Sequence, residues 1–421
     1  MALQLEGESA ADAMKRIAPH LSGTLLAVQG PPGAGKTHAG SQMILALVRA
    51  GKKVGITATS HSVIENLLDA IHEAAQQAAD AGHGLSVFSI QKPKDGTPGF
   101  EHPHNARAKK ALEIAQSLES GQARIAAGTA WLWCDEKLRN SVDVLVVDEA
   151  GQFSLASALA VSVAAQSLVL LGDPQQLAQP SQGGHPPGAQ ASALEHILDD
   201  QATIPTGKGL FMDRTWRLPP AIADFTSEYF YAGLLKAHPD CSQQQLRLPG
   251  AAQRFAGTGL FFEPVEHTGN VNSSAEEAER VGEVVSELLA CGATWFNRQG
   301  KEQPLTLNDV LVVAPYNSQV QLIAERVTAA GYPEARVGTA DKFQGQEAPV
   351  VLYSMATSNP EDAPRGFDFL FSLNRLNVAI SRAQAIVILI ASPRLLEAQC
   401  RTPKQMRLVN GVCGVVGRAG A

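Results

Sequence analysis

The 421-residue chain has no apolar run near the ~20 residues that a membrane-spanning helix needs. Its first twenty residues are interrupted by charges and lack a compact apolar stretch before a small-residue cleavage site, so no secretory leader is expected. Cysteine is scarce: Cys134, Cys241, Cys291, Cys400 and Cys413 form no C-x-x-C pair. That spacing supports neither a zinc site nor an iron–sulfur cluster. An odd count without a framework fits a reducing, cytoplasmic setting. Positive charge is not in excess either. With 34 Lys and Arg against 41 Asp and Glu, the net charge is −7. This counts against holding nucleic acid by bulk attraction, but not against a narrow groove that grips phosphates through backbone N–H groups, hydroxyls and a few local cations.

What is present is a globular composition, 45% hydrophobic and 18% charged. The length exceeds one ordinary core and suits two domains of ~200 residues. Short apolar, β-branched runs alternate with helical patterns: Thr24–Gln29, Lys53–Thr57, Ser86–Ile90, Val144–Val147 and Leu168–Leu171, then Leu260–Val265, Val310–Ala314, Pro349–Ser354 and Ile386–Ala391. Fully apolar strands between helices imply parallel sheets covered on both faces. The pattern occurs twice, so two α/β domains are expected, 1–205 and 206–421, divided where Thr, Pro and Gly cluster around 201–209. Residues 67–122 read as a helical insertion in the first domain, with a loop at Lys92–His104. A second Gly/Pro-rich loop is expected at Ser181–Gln190, and neither region contains an internal repeat.

Three strand ends carry chemistry. Gly30-Pro31-Pro32-Gly33-Ala34-Gly35-Lys36-Thr37 satisfies G-x-x-x-x-G-K-[ST] between an apolar strand and an amphipathic helix beginning at His38. Such a loop wraps a phosphate with its N–H groups, aided by the helix dipole. Lys36 would contact the β and γ phosphates, and the Thr37 hydroxyl would bind Mg²⁺. The second strand, Val144–Val147, ends in Asp148-Glu149. Two adjacent carboxylates there are costly unless a cation or a proton-accepting role compensates. Asp148 would hold Mg²⁺ through its water shell and Glu149 would polarise the attacking water. An N-cap pair is the plainer alternative. The third strand, Leu168–Leu171, ends in Gly172-Asp173-Pro174-Gln175-Gln176-Leu177. A glutamine there could hydrogen-bond the γ phosphate or its attacking water and so report hydrolysis, or the segment could be an ordinary Asp-Pro turn.

Together these motifs resemble superfamily 1 helicases, in the branch of the nonsense-mediated-decay RNA helicase and the nuclease-helicases of DNA repair. Further segments extend the likeness in order along the chain: Arg214–Pro220, Val312–Asn317, Gly338–Glu347 and Asn374–Ala383. Ser60-His61, Gly128–Trp133 and Asp341–Val350 look most like the helicase half of bacterial proteins that join a RecB-like nuclease to this motor. No part of the chain resembles the nuclease half, so a fragment or a stand-alone form is expected, with a nuclease domain or subunit as a candidate partner.

The resemblance implies two RecA-like P-loop domains with an ATP site in the cleft between them. Mg²⁺ is the expected cofactor from the motif chemistry, no membrane association is expected from the lack of a long apolar run, and a monomer is expected. It also implies that Trp216 stacks on adenine, that Arg217 and Arg382 act as arginine fingers, that Gln176 senses the γ phosphate, and that Glu347 contacts the ribose. A core role for Trp216 and a surface ion pair for Arg217 are the bland alternatives. One departure from the family pattern is upstream of the loop. Ala10 stands where an adenine-reading glutamine is usual, and Gln4 lies further away. The small β-barrel of some members would precede Met1 and is not expected here.

A single strand would cross both domains over Thr59, Ser60, His61, Thr129, Pro315, Tyr316, Asn317 and Thr339, small or backbone-rich positions at strand ends. Tyr316 or Trp131 could stack on a base, although a core role suits Trp131 equally, and helix capping suits His61 and Thr129. Residues 67–122, with Lys109 and Lys110, either cover the strand or form a solvated helical pair. The expected function is an ATP-driven translocase or helicase on single-stranded DNA or RNA, DNA favoured, moving 5′→3′ as the branch implies. The alternative is a nucleotide-gated binding module without unwinding activity. A small-molecule kinase is weaker, because it needs no second α/β domain carrying arginines.

Overall fold

The computed structural model describes residues 2–179, 186, 188 and 190–419. The expected loop at Ser181–Gln190 therefore lies largely outside the described residues. The chain divides into two compact units: residues 1–174 with 178–213, and residues 175–177 with 214–421. Among the described residues, no helix is long and apolar enough to cross a membrane.

The first unit runs α1 (Ala10–Ile17), β1 (Leu25–Gln29), α2 (Lys36–Arg49), β2 (Val54–Thr57), α3 (His61–Asp80), β3 (Ser89–Gln91), β4 (Asn105–Arg107) and α4 (Ala111–Glu119). It continues with β5 (Ile125–Ala127), α5 (Ala130–Trp133), β6 (Val142–Asp148), α6 (Leu155–Ser162), β7 (Ala165–Gly172), α7 (Ala193–Leu198) and β8 (Leu210–Phe211). Its strands form one parallel sheet in the order β4-β3-β5-β2-β6-β7-β1-β8. β6 shows why the sequence reads as buried strand. Val144 and Val146 enter the core on the α2–α3 face, while Leu145 and Val147 enter the core on the opposite face. A two-residue period with both faces apolar is what helices on both sides of a sheet require. α3 supplies the first of those helices. Ser60 caps it by accepting from Val63 N at 3.3 Å, and Ile64, Leu67, Leu68 and Ile71 form its buried stripe.

Two features differ from the sequence expectation. The units part at 213/214 rather than 205/206, because Leu210 and Phe211 pair with Val28 and Gln29 and add an edge strand to the first sheet. Nor is 67–122 a helical insertion. α3 is an ordinary crossover, and β3 and β4 extend the sheet. These strands carry hydrogen-bonded polar side chains: Ser89 Oγ of β3 donates to Asn105 Oδ1 of β4 at 2.8 Å, and Gln91 Oε1 accepts from the Phe100 N–H of the intervening loop at 2.8 Å. Hydrogen bonds satisfy groups that hydrophobic periodicity counts as non-core.

The second unit contains β9 (Arg214–Thr215), α8 (Pro220–Phe230), β10 (Lys236–Ala237), β11 (Gln245–Arg247), β12 (Gly259–Pro264), α9 (Ala275–Ala290), β13 (Thr294–Phe296) and β14 (Glu302–Pro304). β15 (Val310–Val313), α10 (Asn317–Ala329), β16 (Arg336–Gly338), β17 (Ala348–Ser354), α11 (Phe367–Leu370), α12 (Leu373–Ile380), β18 (Ala383–Ala391) and α13 (Pro403–Arg418) follow. Its main sheet, β12-β18-β17-β15-β16, is also parallel. Val310, Val312, Val350, Leu352, Ile386 and Ile388 pack there with Val281, Val285 and Leu288 of α9. Both units thus have the expected α/β architecture.

Candidate nucleotide and nucleic-acid sites

In the first unit, the glycine-rich segment leaves β1 and turns into α2. Gly33 and Gly35 adopt φ of 70° and 79°, which only glycine takes without strain. Gly30 is needed for a different reason: a Cβ there would lie 2.3 Å from Lys36 Cγ. The Lys36 ammonium folds back and donates to Gly30 O at 2.6 Å. Pro31, Pro32 and Ala34 are buried in the loop, whereas Thr37 and His38 are exposed on the first turn of α2.

β6 ends beside this loop. Asp148 is buried, and it accepts one hydrogen bond, from Glu149 N at 2.8 Å. Burial, and then the charge of Glu149, push its carboxyl up to about 7; the Glu149 N–H and the Lys36 charge pull the other way. Glu149 sits at φ 51°, a left-handed conformation unusual for a side chain of its size. β6 and β7 approach closely just past their ends. A Cβ on Gly172 would lie 2.6 Å from Ala150 N, and one on Gly151 would lie 2.5 Å from Asp173 O.

Gln29 was not singled out from the sequence, yet it ties the loop down. It is fully buried; its Nε2 donates to Asp173 Oδ1 at 3.3 Å and to Ala202 O at 3.1 Å, and its Oε1 accepts from Ile204 N at 2.8 Å. An amide closing an otherwise apolar strand, one residue before the loop, was the available signal.

A second cluster forms in the other unit. Arg382 is buried; its Nε donates to Val378 O at 3.1 Å, its Nη1 to Gln346 O at 3.2 Å and its Nη2 to Gln176 Oε1 at 3.2 Å. Asn377 donates to Gln175 O at 2.8 Å, and Asn374 donates to Gln176 O. Arg217 Nε donates to Glu347 Oε2 at 2.5 Å and its Nη1 to Ser381 O at 3.1 Å. Gln244, another residue the sequence did not flag, bonds both Arg217 O and Gln384 O. Gln176, Arg217, Glu347 and Arg382 thus belong to one bonded neighbourhood. Trp216 is 43% exposed, which disposes of a core role, and it stacks on His238 at 3.7 Å between ring centroids.

The expected nucleic-acid positions lie after the carboxyl ends of β2, β5, β15 and β16, but not all face outward. Thr59 and Asn317 are exposed, and Ser60, His61, Thr129 and Thr339 are half-buried. Pro315 and Tyr316 are buried, and the Tyr316 ring lies 5.4 Å from that of Phe369. Tyr316 is therefore closed to base stacking: the β15–α10 turn packs it inward. Trp131 is the reverse case, 88% exposed, while Trp133 of the same turn is in the core. Among the described residues, no group of three or more His, Cys, Asp and Glu is arranged to hold a metal ion.

The chain is similar to several known proteins. Two family descriptions, each an AAA domain, match residues 9–197 and 189–394. DNA-binding protein SMUBP-2 of Mesocricetus auratus is 27% identical over 87% of this chain and 41% of its own length. The DNA replication ATP-dependent helicase/nuclease DNA2 of Bos taurus is 25% identical over 94% of this chain and 38% of its own length. A Regulator of nonsense transcripts 1 homolog of Drosophila melanogaster is 22% identical over 88% and 33%. The chain thus spans about two-fifths of these relatives or less. Among solved structures, the arterivirus nonstructural protein 10 helicase in complex with DNA aligns with 96% of this chain and 66% of its own, at 15% identity and a TM-score of 0.49. Of these, DNA2 and nonstructural protein 10 bear the word helicase in their names.

Proposed function

We propose that this chain is an Mg²⁺-dependent ATP hydrolase that moves along single-stranded nucleic acid, DNA in preference, as the motor of a helicase. The observation that carries this reading is Asp148: a buried carboxyl with one hydrogen bond, held proton-binding by its surroundings, beside the Lys36 loop. A divalent cation suits that donor set, because it supplies the positive charge the buried carboxylate lacks. Asp148, through water, and the Thr37 hydroxyl would hold it, and when bound it would neutralise charge on the phosphates.

The chain's own residues do the rest. Lys36 exchanges Gly30 O for phosphate oxygens, and the N–H groups of Gly33, Ala34 and Gly35 cradle them. Glu149 takes the proton of the attacking water. Gln176 orients that water, Arg217 and Arg382 stabilise the charge that develops on the transferred phosphoryl, Trp216 stacks on the base of the nucleotide and Glu347 contacts its ribose. Hydrolysis then alternates the grip on the strand, with 5′→3′ movement and a nuclease partner as the finer parts of the proposal. One relative bears the name helicase/nuclease, and that supports the last point.

ATP hydrolysis should rise on addition of single-stranded DNA or RNA, and Lys36→Ala should abolish it. Absence of stimulation by either polymer overturns the translocase reading. A gated binding module without unwinding is the second reading. It draws on Arg217, which is held by Glu347 and Ser381 within its own unit. Strand displacement on tailed duplexes separates the two.

A further inference from the structure

α12 carries two asparagines, Asn374 and Asn377, within its eight residues. Asparagine favours caps and turns over helix interiors, so local propensity does not account for them. Spaced i, i+3, they share one face of the helix, and that face holds the turn that carries Gln176. We propose that Asn377, supported by Tyr231, is a positioning residue for ATP hydrolysis: it fixes the backbone on which the Gln176 amide is presented to the attacking water. The proposal rests on the motor reading above and adds to it two residues that it left without a role.

Three observations carry it. The first is what α12 grips. Asn377 Nδ2 donates to Gln175 O at 2.8 Å, and Asn374 Nδ2 donates to Gln176 O. Arg382, just past the helix, meets Gln176 Oε1 at 3.2 Å. Residues 175–177 accordingly group with residues 214–421 rather than with the strand they follow. Two successive carbonyls are thus held by side chains of one helix. A glutamine turns about three side-chain bonds, so an amide that must meet one water within hydrogen-bond reach gains from a fixed backbone beneath it.

The second is how Asn377 is itself held. It is fully buried, and its other Nδ2 proton goes to the Tyr231 hydroxyl oxygen at 2.9 Å, so both donors are used. Tyr231 is fully buried at the carboxyl end of α8, where its N–H donates to Ser227 O and its carbonyl accepts from Leu234 N, each at 2.9 Å. The third is the other end of the amide. Asn377 Oδ1 is buried with no hydrogen-bond partner. Turning the amide over would set Oδ1 against Gln175 O, two acceptors face to face, so the carbonyl it serves fixes its orientation. A buried acceptor left unpaired counts against a purely stabilising role and for one in which the donors matter.

The test is ATP hydrolysis by the full chain with saturating single-stranded DNA, run as a double-mutant cycle between residues 377 and 176. Asn377→Ala should lower kcat ~10-fold and Gln176→Ala ~10²-fold, with KM for ATP within about 2-fold of wild type. The double variant should be no slower than Gln176→Ala, because Asn377 acts only through the glutamine. Asn377→Leu refills the space without a donor, so it should be as slow as the alanine variant. Tyr231→Phe should lower kcat ~2–10-fold. It carries the same cycle with Gln176→Ala if thermal melts show the variants at 377 to be poorly folded. Losses that multiply in the double variant, a raised KM at unchanged kcat, or full activity of Asn377→Leu overturn the proposal and leave Asn377 to the fold. Full activity of Gln176→Ala overturns the role of Gln176 in the motor reading, and the proposal with it.

Discussion

Asp148 and Glu277 are both buried carboxyls beside a parallel sheet, and the two units treat them in opposite ways. Glu277 is fully satisfied: Oε1 meets His267 Nε2 at 2.9 Å, and Oε2 accepts from Ser354 Oγ at 2.6 Å and Ala356 N at 2.9 Å. His267 Nδ1 in turn meets Ser358 Oγ at 2.7 Å. Asp148 accepts one bond and is pushed toward its neutral form. A carboxylate surrounded by donors is part of the scaffold. One left short of donors is poised for a cation. The Ser358–His267–Glu277 chain has the order of a nucleophilic triad, but Ser358 and Glu277 are 0% exposed and no substrate can reach them. Its product is rigidity at the β17 end, where Ala356 is held at φ 68°.

The comparison can be broken at either carboxyl. The largest effect is expected at the site itself. Glu149→Gln should lower the rate of ATP hydrolysis by ~10²–10⁴ while nucleotide binding persists, as read by single-turnover kinetics and a fluorescent nucleotide. A variant that loses binding as well would make Glu149 a structural residue. Glu277→Ala should cost about 3–5 kcal/mol, because His267 and the Ser354–Ser358 segment lose a shared buried partner. Hydrogen exchange across 354–358 would localise the loss to that segment, and unchanged protection there would contradict the scaffold role.

The pH dependence of Asp148 has a defined sign. A carboxyl that binds its proton more tightly folded than unfolded makes stability fall as pH rises from the ordinary carboxylate range through about 7, and stay level above. Asp148→Asn should therefore stabilise the metal-free protein by about 1–3 kcal/mol near pH 8 and do nothing near pH 4, as followed by thermal melts. Added Mg²⁺ should narrow the difference by stabilising the wild type. A pH-independent gain would mean that packing, not titration, separates the two proteins. Gly172→Ala should cost about 1–3 kcal/mol, because its Cβ would meet Ala150 N and Gly151 N, backbone atoms that cannot rotate away.

Local signals were the legible ones. The nine apolar runs each contain or overlap a strand, because a strand buried on both faces must be apolar throughout, whatever it pairs with. β4 was not legible as a strand, because polar side-chain hydrogen bonds, such as Ser89 to Asn105, rather than apolar content satisfy it. The fate of the two candidate stacking aromatics was equally illegible: Tyr316 is packed inward and Trp131 turned outward, although both lie just past the carboxyl end of a strand.

By itself, then, the sequence determined the phosphate loop, the adjacent carboxylates and the two-sheet architecture, since each depends on residues within a single strand, turn or helix. Tertiary structure alone decided what those groups bond. Gln29 meets Asp173 across 144 residues, and Arg217 meets Glu347 across 130. It also decided which carboxyl stays hungry for charge. Hydrogen bonds and desolvation act over a few ångströms of space, and only the folded chain brings such distant residues within that range.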